Sequence, residues 1–592
     1  MDSSLDRELE LSIRMAALLN ATRHHGKADV NAVLGKVLSE YPEFRAEARK
    51  LVGIVQKICK EVSSMTELQQ REELISVQGK MHISEKAEVH AGKKEESHKE
   101  LPALPNVQRY DRVVTRFAPN PDSVLHIGST RALILSHDYA RMYSGRFILR
   151  FEDTDPRLKK SSLKFYDYII EDMRWMGCEP DEIYFQSDRL EIYYTYAERL
   201  IQLGGAYVCT CSSETFRSHI LAGQSCPCRN LTVLEHLNRW KKMLSGGYKE
   251  GEAVLRVKTD LTHPNPAVRD WPAMRIIDTQ KYKHPRVGSK YIVWPLYNWS
   301  AGLDDHLMGV THIIRGKDHL TNAIRQKYFY DAFGWNYPES IHYGRLKIEG
   351  SELSKSKIEF GIREGRYYGY DDPRLATLRA LKRRGIESEA IRRLIYQIGP
   401  KPVDVEISWD NLLAINRQLI DRKSPRHFAV FSPVMLEIAG IPDEFLKIEL
   451  PRHPDNPGMG KRVYEVRAID GKARVYVPRT EIQKLKSARL MGLFNISDIH
   501  FKEDASAKFY SYSLEDARKR QMSALQWLPV DSNIQISVVL PDASSVKGLG
   551  DTQLLEEEVG VVVQFERMFF ARIDSKQPEF TLYFTSGLLP KL

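Results

Sequence analysis

Between Arg112 and Phe151 a short apolar run, a helical stretch and a second short apolar run follow one another with little spacer. Arg112 to Phe117 reads as a buried strand, Leu125 to Tyr143 as a helix stopped near Gly145, and Phe147 to Phe151 as a second strand. Strand–helix–strand order argues a parallel, doubly wound sheet, and the alternation continues to about residue 345. It cannot organise the whole chain, because 592 residues suggest three to five domains. Residues 1 to about 78 read as helices, with Leu9, Leu11, Ile13, Ala16, Ala17 and Leu19 at near-helical spacing and Val30, Val33, Leu34, Val37 and Leu38 repeating it. From about 80 to 100 the sequence is polar and rich in Lys and Glu, a linker ending in Pro102 and Pro105. From 360 to 400 the chain is helical and basic. After about 425 short alternating segments such as Val475-Tyr476-Val477, Ile534 to Val539 and Val561 to Phe565 suggest a barrel or sandwich.

Composition narrows the function classes. Hydrophobic residues at 42% and charged residues at 28% are the balance of a soluble chain with real cores. No run of eighteen apolar residues occurs, and the acidic start Met1-Asp2-Ser3-Ser4 is unlike a signal peptide, so a cytoplasmic protein with no membrane partner is expected. Lys plus Arg exceeds Asp plus Glu by 87 to 78, a net charge of +9 that permits a polyanionic partner without proving one. Four of six cysteines crowd into twenty residues, which favours a metal site over a disulfide framework.

The segment Arg116-Phe117-Ala118-Pro119-Asn120-Pro121-Asp122-Ser123-Val124-Leu125-His126-Ile127-Gly128-Ser129 leaves a strand and opens a helix. Free backbone N–H groups and the helix dipole suit a polyphosphate there. Gly128 lets a flat base approach the backbone, and His126 can donate a hydrogen bond to charge developing on phosphate. The string by itself also fits an ordinary proline-rich loop. A second segment, Glu352-Leu353-Ser354-Lys355-Ser356-Lys357, follows a strand-like run from Ile341 to Ile348 and could swing lysines onto a triphosphate, or be a solvated loop.

Together the two strings resemble the paired signatures of class I aminoacyl-tRNA synthetases, the His-x-Gly-His motif and the Lys-Met-Ser-Lys-Ser loop. Ser129 stands in place of the second histidine and Glu352 in place of the first lysine. The resemblance narrows to the glutamyl/glutaminyl subgroup through Leu149 to Pro156, Gly309 to Gly316, Asp371 to Arg379, Gln526 to Pro529 and Val563 to Arg567, and is closest to archaeal-type members of the glutamyl branch. It implies a helical appended domain over 1–79, a linker over 80–105 and a Rossmann-type catalytic domain over 106–207 and 289–358. An acceptor-end-binding insertion over 208–288, a stem-contact region over 359–424 and anticodon-binding β-barrels over 425–592 complete the expected plan. Pro119, Asn120, Pro121, His126, Gly128, Ser129, Ser354, Lys355 and Ser356 would bind ATP, with His126, Ser129 and Lys355 acting in catalysis and Mg²⁺ on the phosphates.

The amino-acid pocket turns on charge. By the same resemblance Arg116, Tyr297 and Arg315 line it, and Glu152 takes the α-ammonium. In the glutaminyl branch the position of Arg315 is a small cysteine. A second guanidinium forks onto a γ-carboxylate, whereas an amide leaves a buried charge poorly compensated at a cost of roughly 2–5 kcal/mol. Asp155 also matches the glutamyl form. The competing role for Arg315 is a surface ion pair with Asp318. The expected reaction is ATP-driven attachment of L-glutamate to tRNA(Glu) through an adenylate, by a monomer, with tRNA(Gln) an open second acceptor. A glutaminyl enzyme and an inactive tRNA-binding paralogue are the alternatives.

Cys209-x-Cys211 and Cys226-x-Cys228, bridged by a short helix from Ser213 to Ala222, can place four thiolates around a structural zinc. Incidental cysteines or disulfides are the other reading, and Cys59 and Cys178 look like lone core cysteines. Lys382, Arg383, Arg384, Arg392 and Arg393 could contact RNA phosphates or form solvated helix faces. Arg567, Phe569, Phe570 and Arg572 mix cations with aromatics, as base stacking requires and as ordinary barrel strands also do.

Overall fold

The computed structural model describes residues 3–23, 26–40, 48–66, 69–70, 73, 100–158 and 161–589. It separates into two compact units, 1–98 and 99–592. Most of the expected linker, 80–99, lies outside the described residues.

In the first unit helices α1 (Ser3–Arg23), α2 (Val30–Glu40) and α3 (Ala48–Ser63) enclose a core of Ile13, Ala17, Val33, Val37, Val55, Ile58 and Cys59. The Asp29 carboxylate accepts the N–H of Ala32 at 2.8 Å and so caps the start of α2. Arg14 joins Glu61 and Glu73 at 2.8 and 2.6 Å.

The second unit opens with a strap. Leu101 and Leu104 are buried in the largest core, the Tyr139 hydroxyl donates to the Pro102 carbonyl at 2.9 Å, and the N–H of Leu104 donates to the Tyr143 hydroxyl at 2.9 Å. Two leucines spaced by Pro-Ala have no period to betray them, so the segment 101–105 reads as linker in sequence yet packs as core.

Strands β1 (Val114–Phe117), β2 (Arg146–Phe151) and β3 (Glu182–Phe185) pair in parallel. Helix α4 (Ile127–Met142) is the first crossover, buried through Leu133, Ile134 and Leu135. The tight turn after it depends on Gly145, where a Cβ would lie 2.2 Å from the Val113 carbonyl oxygen. An inserted antiparallel sheet, β4 (Ala206–Cys209), β5 (Val254–Val257), β6 (Pro272–Ile276) and β7 (Val293–Pro295), interrupts the wind. The chain then returns through helix α5 (Tyr297–Leu307) to β8 (His312–Gly316), which pairs in parallel with β9 (Glu339–Tyr343). The N–H of Thr311 donates to the Val114 carbonyl at 2.9 Å, setting β8 beside β1. The order β3-β2-β1-β8-β9 reverses direction at β1 and β8, and such a crevice is where doubly wound sheets bind ligands.

The strand-like run from Ile341 to Ile348 is broken. Gly344 ends β9, because a Cβ there would meet the Val403 backbone at 2.0 Å, and β10 (Leu346–Ile348) pairs instead with β11 (Val405–Ile407). Buried Arg131 fastens the junction by donating to the carbonyls of Gly344, Gly399 and Lys401. The basic helical stretch contains α6 (Lys355–Arg363), α7 (Leu378–Arg383) and α8 (Ser388–Ile398), and Ile391, Leu394 and Ile395 share the core of the parallel sheet.

Beyond 425 two seven-stranded sheets form, with alternate residues inward as the sequence pattern predicts. One takes strands from both ends of this region, Arg426–His427 and Ala429–Phe431 joining the strands between Ile534 and Gly587. The other is built from strands between Pro433 and Pro529.

Candidate active site

The crevice between β1 and β8 holds a buried set of charges. Arg116 at the end of β1 donates through Nε to Asp305 Oδ1 at 3.0 Å, and Arg150 of β2 donates to the same oxygen at 2.8 Å. Arg150 also donates to Glu152 Oε1 at 3.0 Å. Burial would raise the Asp305 carboxyl, but Arg116 and Arg150 outweigh it and hold it below the usual range. Glu152 goes the other way, its carboxyl raised by burial against the pull of Arg150 and Arg116. Two guanidiniums and two carboxylates here neutralise one another.

Arg315, in β8, is outside that balance. It is 5% exposed, and its partners are neutral: Gln326 Oε1 at 3.2 Å and the Tyr337 hydroxyl at 2.8 Å. Burial works against its charge, and Tyr297, Tyr337 and, at longer range, the Asp305 carboxylate outweigh that, so it stays a cation. Among the described residues no carboxylate lies within ion-pair distance, and Nε is buried with no partner. Among the described residues the ion-pair partner of Asp318 is His319, at 3.9 Å, so the surface pair weighed for Arg315 does not form. Tyr297 opens α5 with its ring 5.1 Å from that of His319. The structure therefore brings Arg116, Glu152, Tyr297 and Arg315 to one crevice.

On the other side of the crevice, where the sequence places the nucleotide, His126 stands at the N-cap of α4. Its ring is why Gly128 must be glycine: a Cβ there would lie 2.9 Å from His126 Cε1 and 3.1 Å from the Leu346 carbonyl oxygen. The Ser129 hydroxyl accepts the N–H of His126 at 3.4 Å, so this residue serves the helix start. Burial first, and the Lys355 ammonium second, lower His126 to about 4. At neutral pH His126 is thus uncharged, which fits the hydrogen-bond donor expected of it. Lys355 begins α6 and its Nζ rests on Asp122 Oδ1 at 2.5 Å. Glu352 accepts the N–H of Ser354 at 2.8 Å and pairs with Lys357 at 3.1 Å, bracing the loop. Ser354 caps α6 with an extended backbone, and Ser356 is exposed. Pro119 accepts the N–H of Glu152 at 3.0 Å, Pro121 that of Ser162 at 3.1 Å, and Asn120 Oδ1 is buried with no partner.

Residues missed in sequence are Arg150, Asp305, Gln326, Tyr337 and Asp122. Arginine and aspartate inside the apolar runs of Leu149 to Phe151 and Trp299 to Leu307 were the available signal, since a buried charge must be paired.

In the insertion the Cys209 and Cys226 sulfurs are 3.9 Å apart and those of Cys211 and Cys228 are 3.7 Å apart. All four are free thiols, and those of Cys209, Cys211 and Cys226 lie mutually within 4.8 Å. Tetrahedral zinc with sulfur at ~2.3 Å needs sulfurs about 3.8 Å apart; the two measured pairs match that spacing, and Cys228 lies beside the group of three. The Thr210 N–H at 3.4 Å and Arg239 at 3.3 Å donate to Cys228 and would support a thiolate.

The candidate RNA contacts divide. Arg392 is paired with Asp138, Arg393 with Glu389 at 3.0 Å, and Arg383 with Asp371 and Asp574, both at 2.8 Å. Arg384 is buried over the Trp409 ring. Lys382 is exposed and forms no ion pair among the described residues. Phe569 and Phe570 are buried in the barrel and Arg572 pairs with Asp574 at 3.3 Å, which leaves Arg567 exposed. Tertiary pairing takes most of these cations, and local composition does not show it. Among the described residues no helix is long and apolar enough to cross a membrane.

Residues 112–422 match the model of the catalytic domain of class I tRNA synthetases (E and Q), and residues 424–514 match the anti-codon binding domain of that family. The chain is 49% identical over 578 residues to the glutamate–tRNA ligase of Pyrococcus abyssi, covering 97% of this chain and 98% of that one. The Pyrococcus horikoshii glutamate–tRNA ligase is 50% identical, covering 94% and 96%. That of Methanothermobacter marburgensis is 44% identical, covering 96% and 98%.

Proposed function

This chain belongs to the glutamyl/glutaminyl group of class I tRNA synthetases, and from that premise we propose that it attaches L-glutamate to tRNA at the expense of ATP. The observation that carries the amino acid is Arg315, a buried cation whose partners are a carboxamide and a phenol. A substrate γ-carboxylate supplies the missing charge; glutamine would leave it unmet. Neither a glutaminyl enzyme nor an inactive paralogue is supported by relatives that carry the glutamate name over nearly their full length.

Arg315 and Arg116 hold the γ-carboxylate, Tyr297 packs against it, and Glu152 takes the α-ammonium. So oriented, an α-carboxylate oxygen attacks the α-phosphorus of ATP and pyrophosphate leaves. A terminal ribose hydroxyl of the tRNA then attacks the acyl carbon and AMP departs. His126 donates an N–H and Lys355 brings a cation to the phosphates, with Asn120, Gly128 and Ser354 lining the approach. Catalysis is positioning and electrostatics, and no side-chain nucleophile is needed. Mg²⁺ accompanies the triphosphate and adds charge neutralisation. Zinc on Cys209, Cys211, Cys226 and Cys228 would stabilise the insertion only, since four protein ligands leave no open position.

The domain limits follow the same reading: 1–79 appended helices, 106–207 with 289–358 catalytic, 208–288 acceptor-end insertion, 359–424 stem contact, 425–592 anticodon region. The enzyme works as a cytoplasmic monomer on tRNA(Glu). Pyrophosphate exchange in the presence of tRNA tests the proposal: exchange with glutamate supports it, and exchange with glutamine or none defeats it. Charging of purified tRNA(Glu) and tRNA(Gln) transcripts decides whether tRNA(Gln) is a second acceptor.

A further inference from the structure

The two halves of the nucleotide site are joined by an ion pair that the reaction must break. Asp122 lies in the turn between β1 and α4, Lys355 lies 233 residues later at the start of α6, and their side chains meet at 2.5 Å. The same ammonium is near enough to His126 to help depress its proton affinity, so Lys355 is held at the edge of the phosphate site and not away from it. It is 40% exposed and Asp122 21%, so the pair can part without opening a core. Glu352 is not its partner: its oxygens are on the Ser354 N–H and Lys357.

We propose that Asp122 is a positioning residue that parks Lys355 in the nucleotide-free enzyme and reclaims it when pyrophosphate leaves. A triphosphate entering beside His126 competes with Asp122 for one ammonium. When Lys355 crosses to the phosphates, the Asp122 carboxylate is left facing an anion of the same sign. Both effects weaken binding of the ground-state nucleotide, and both draw Lys355 back off pyrophosphate after adenylate forms. Asp122 touches no reacting atom; it acts through Lys355. The inference rests on the synthetase reading for the direction of the reaction, but not for the ion pair itself.

The test is calorimetric titration of the full chain with MgATP, and separately with pyrophosphate, without glutamate or tRNA. Asp122→Asn should bind both about two- to five-fold more tightly than wild type, the worth of a half-exposed ion pair. Asp122→Glu should stay near wild type. In a Lys355→Ala background Asp122→Asn should change neither affinity, because the interaction partner is gone. Steady-state charging of tRNA by Asp122→Asn should show a lower KM for ATP with kcat unchanged or lower, limited by product release. Equal affinities for wild type and Asp122→Asn, or the same gain with and without Lys355, would overturn the proposal. A wild type that binds ATP but never charges tRNA with glutamate would instead defeat the synthetase reading and leave the titration cycle interpretable.

Discussion

Arg315 donates to the Tyr337 hydroxyl at 2.8 Å, so a buried full charge is answered by a phenol that Gln326 in turn accepts at 2.6 Å. The pocket is built to hold a cation in place without cancelling it. Arg315→Ala should therefore raise the KM for glutamate sharply and lower kcat/KM by about 10²-fold or more, while the KM for ATP moves much less. Selection against glutamine should relax without inverting, because Arg116 remains. Steady-state kinetics with both amino acids checks this; unchanged glutamate kinetics would make Arg315 structural.

Lys355→Ala should slow adenylate formation by about 10²-fold or more, the typical cost of losing one transition-state donor, with tRNA affinity nearly unchanged. Rapid-quench single turnover reads the effect. If the rate holds, Lys357, now paired with Glu352, is the next cation to test.

Asp172 is buried beneath the nucleotide loop, and Oδ2 accepts the N–H of Leu125 at 3.4 Å. Burial raises its carboxyl to about 7, with Arg379 opposing. An acid that binds its proton more tightly when folded contributes fully below the unfolded value near 4 and loses that contribution as pH rises through 7. Asp172→Asn keeps the shape and an acceptor but cannot ionise. Its melting temperature should gain on wild type progressively between about pH 4 and pH 7 and level off above that, and a pH-independent difference would refute the assignment.

Elemental analysis of gently purified protein should find about one zinc per chain, since four cysteines complete one shell. Chelation should lower the melting temperature of the insertion. No metal together with four freely titrating thiols would contradict the site.

Removal of residues 1–98 should leave glutamate activation intact, whereas removal of 1–105 should destabilise the catalytic domain. The second cut deletes Leu101 and Leu104, each worth roughly 2–5 kcal/mol as a buried leucine. Thermal melts of the two truncations compare them directly, and equal stability would mean the strap is dispensable.

What could be read in advance follows a physical divide. The β1–α4–β2 unit was legible because its apolar runs are local, and Ile127–Met142 falls inside the expected helix from Leu125 to Tyr143. The signature strings pointed to the family because they are runs of consecutive residues. Arg150 and Asp305 were not, because their meaning lies in a contact across 155 positions. The same holds for Arg392, which reads as an RNA cation until Asp138 is found beside it. Glu352 and Ser129, departures from the family strings, turn out to brace a loop and a helix start.

The bond from Thr311 to Val114 has a consequence for how the protein is made. Its two ends are 197 residues apart, with the whole insertion between them. While those residues are being translated, β1 has β2 on one side and an open edge on the other. At about 5–20 residues per second the roughly 160 residues from Phe151 to β8 leave that edge unpaired for roughly 8–32 seconds. An unpaired apolar strand edge is a template for pairing with another chain. The nascent polypeptide is therefore most open to chaperone capture, and to aggregation when synthesis outpaces rescue, between emergence of Phe151 and arrival of β8 at the tunnel exit.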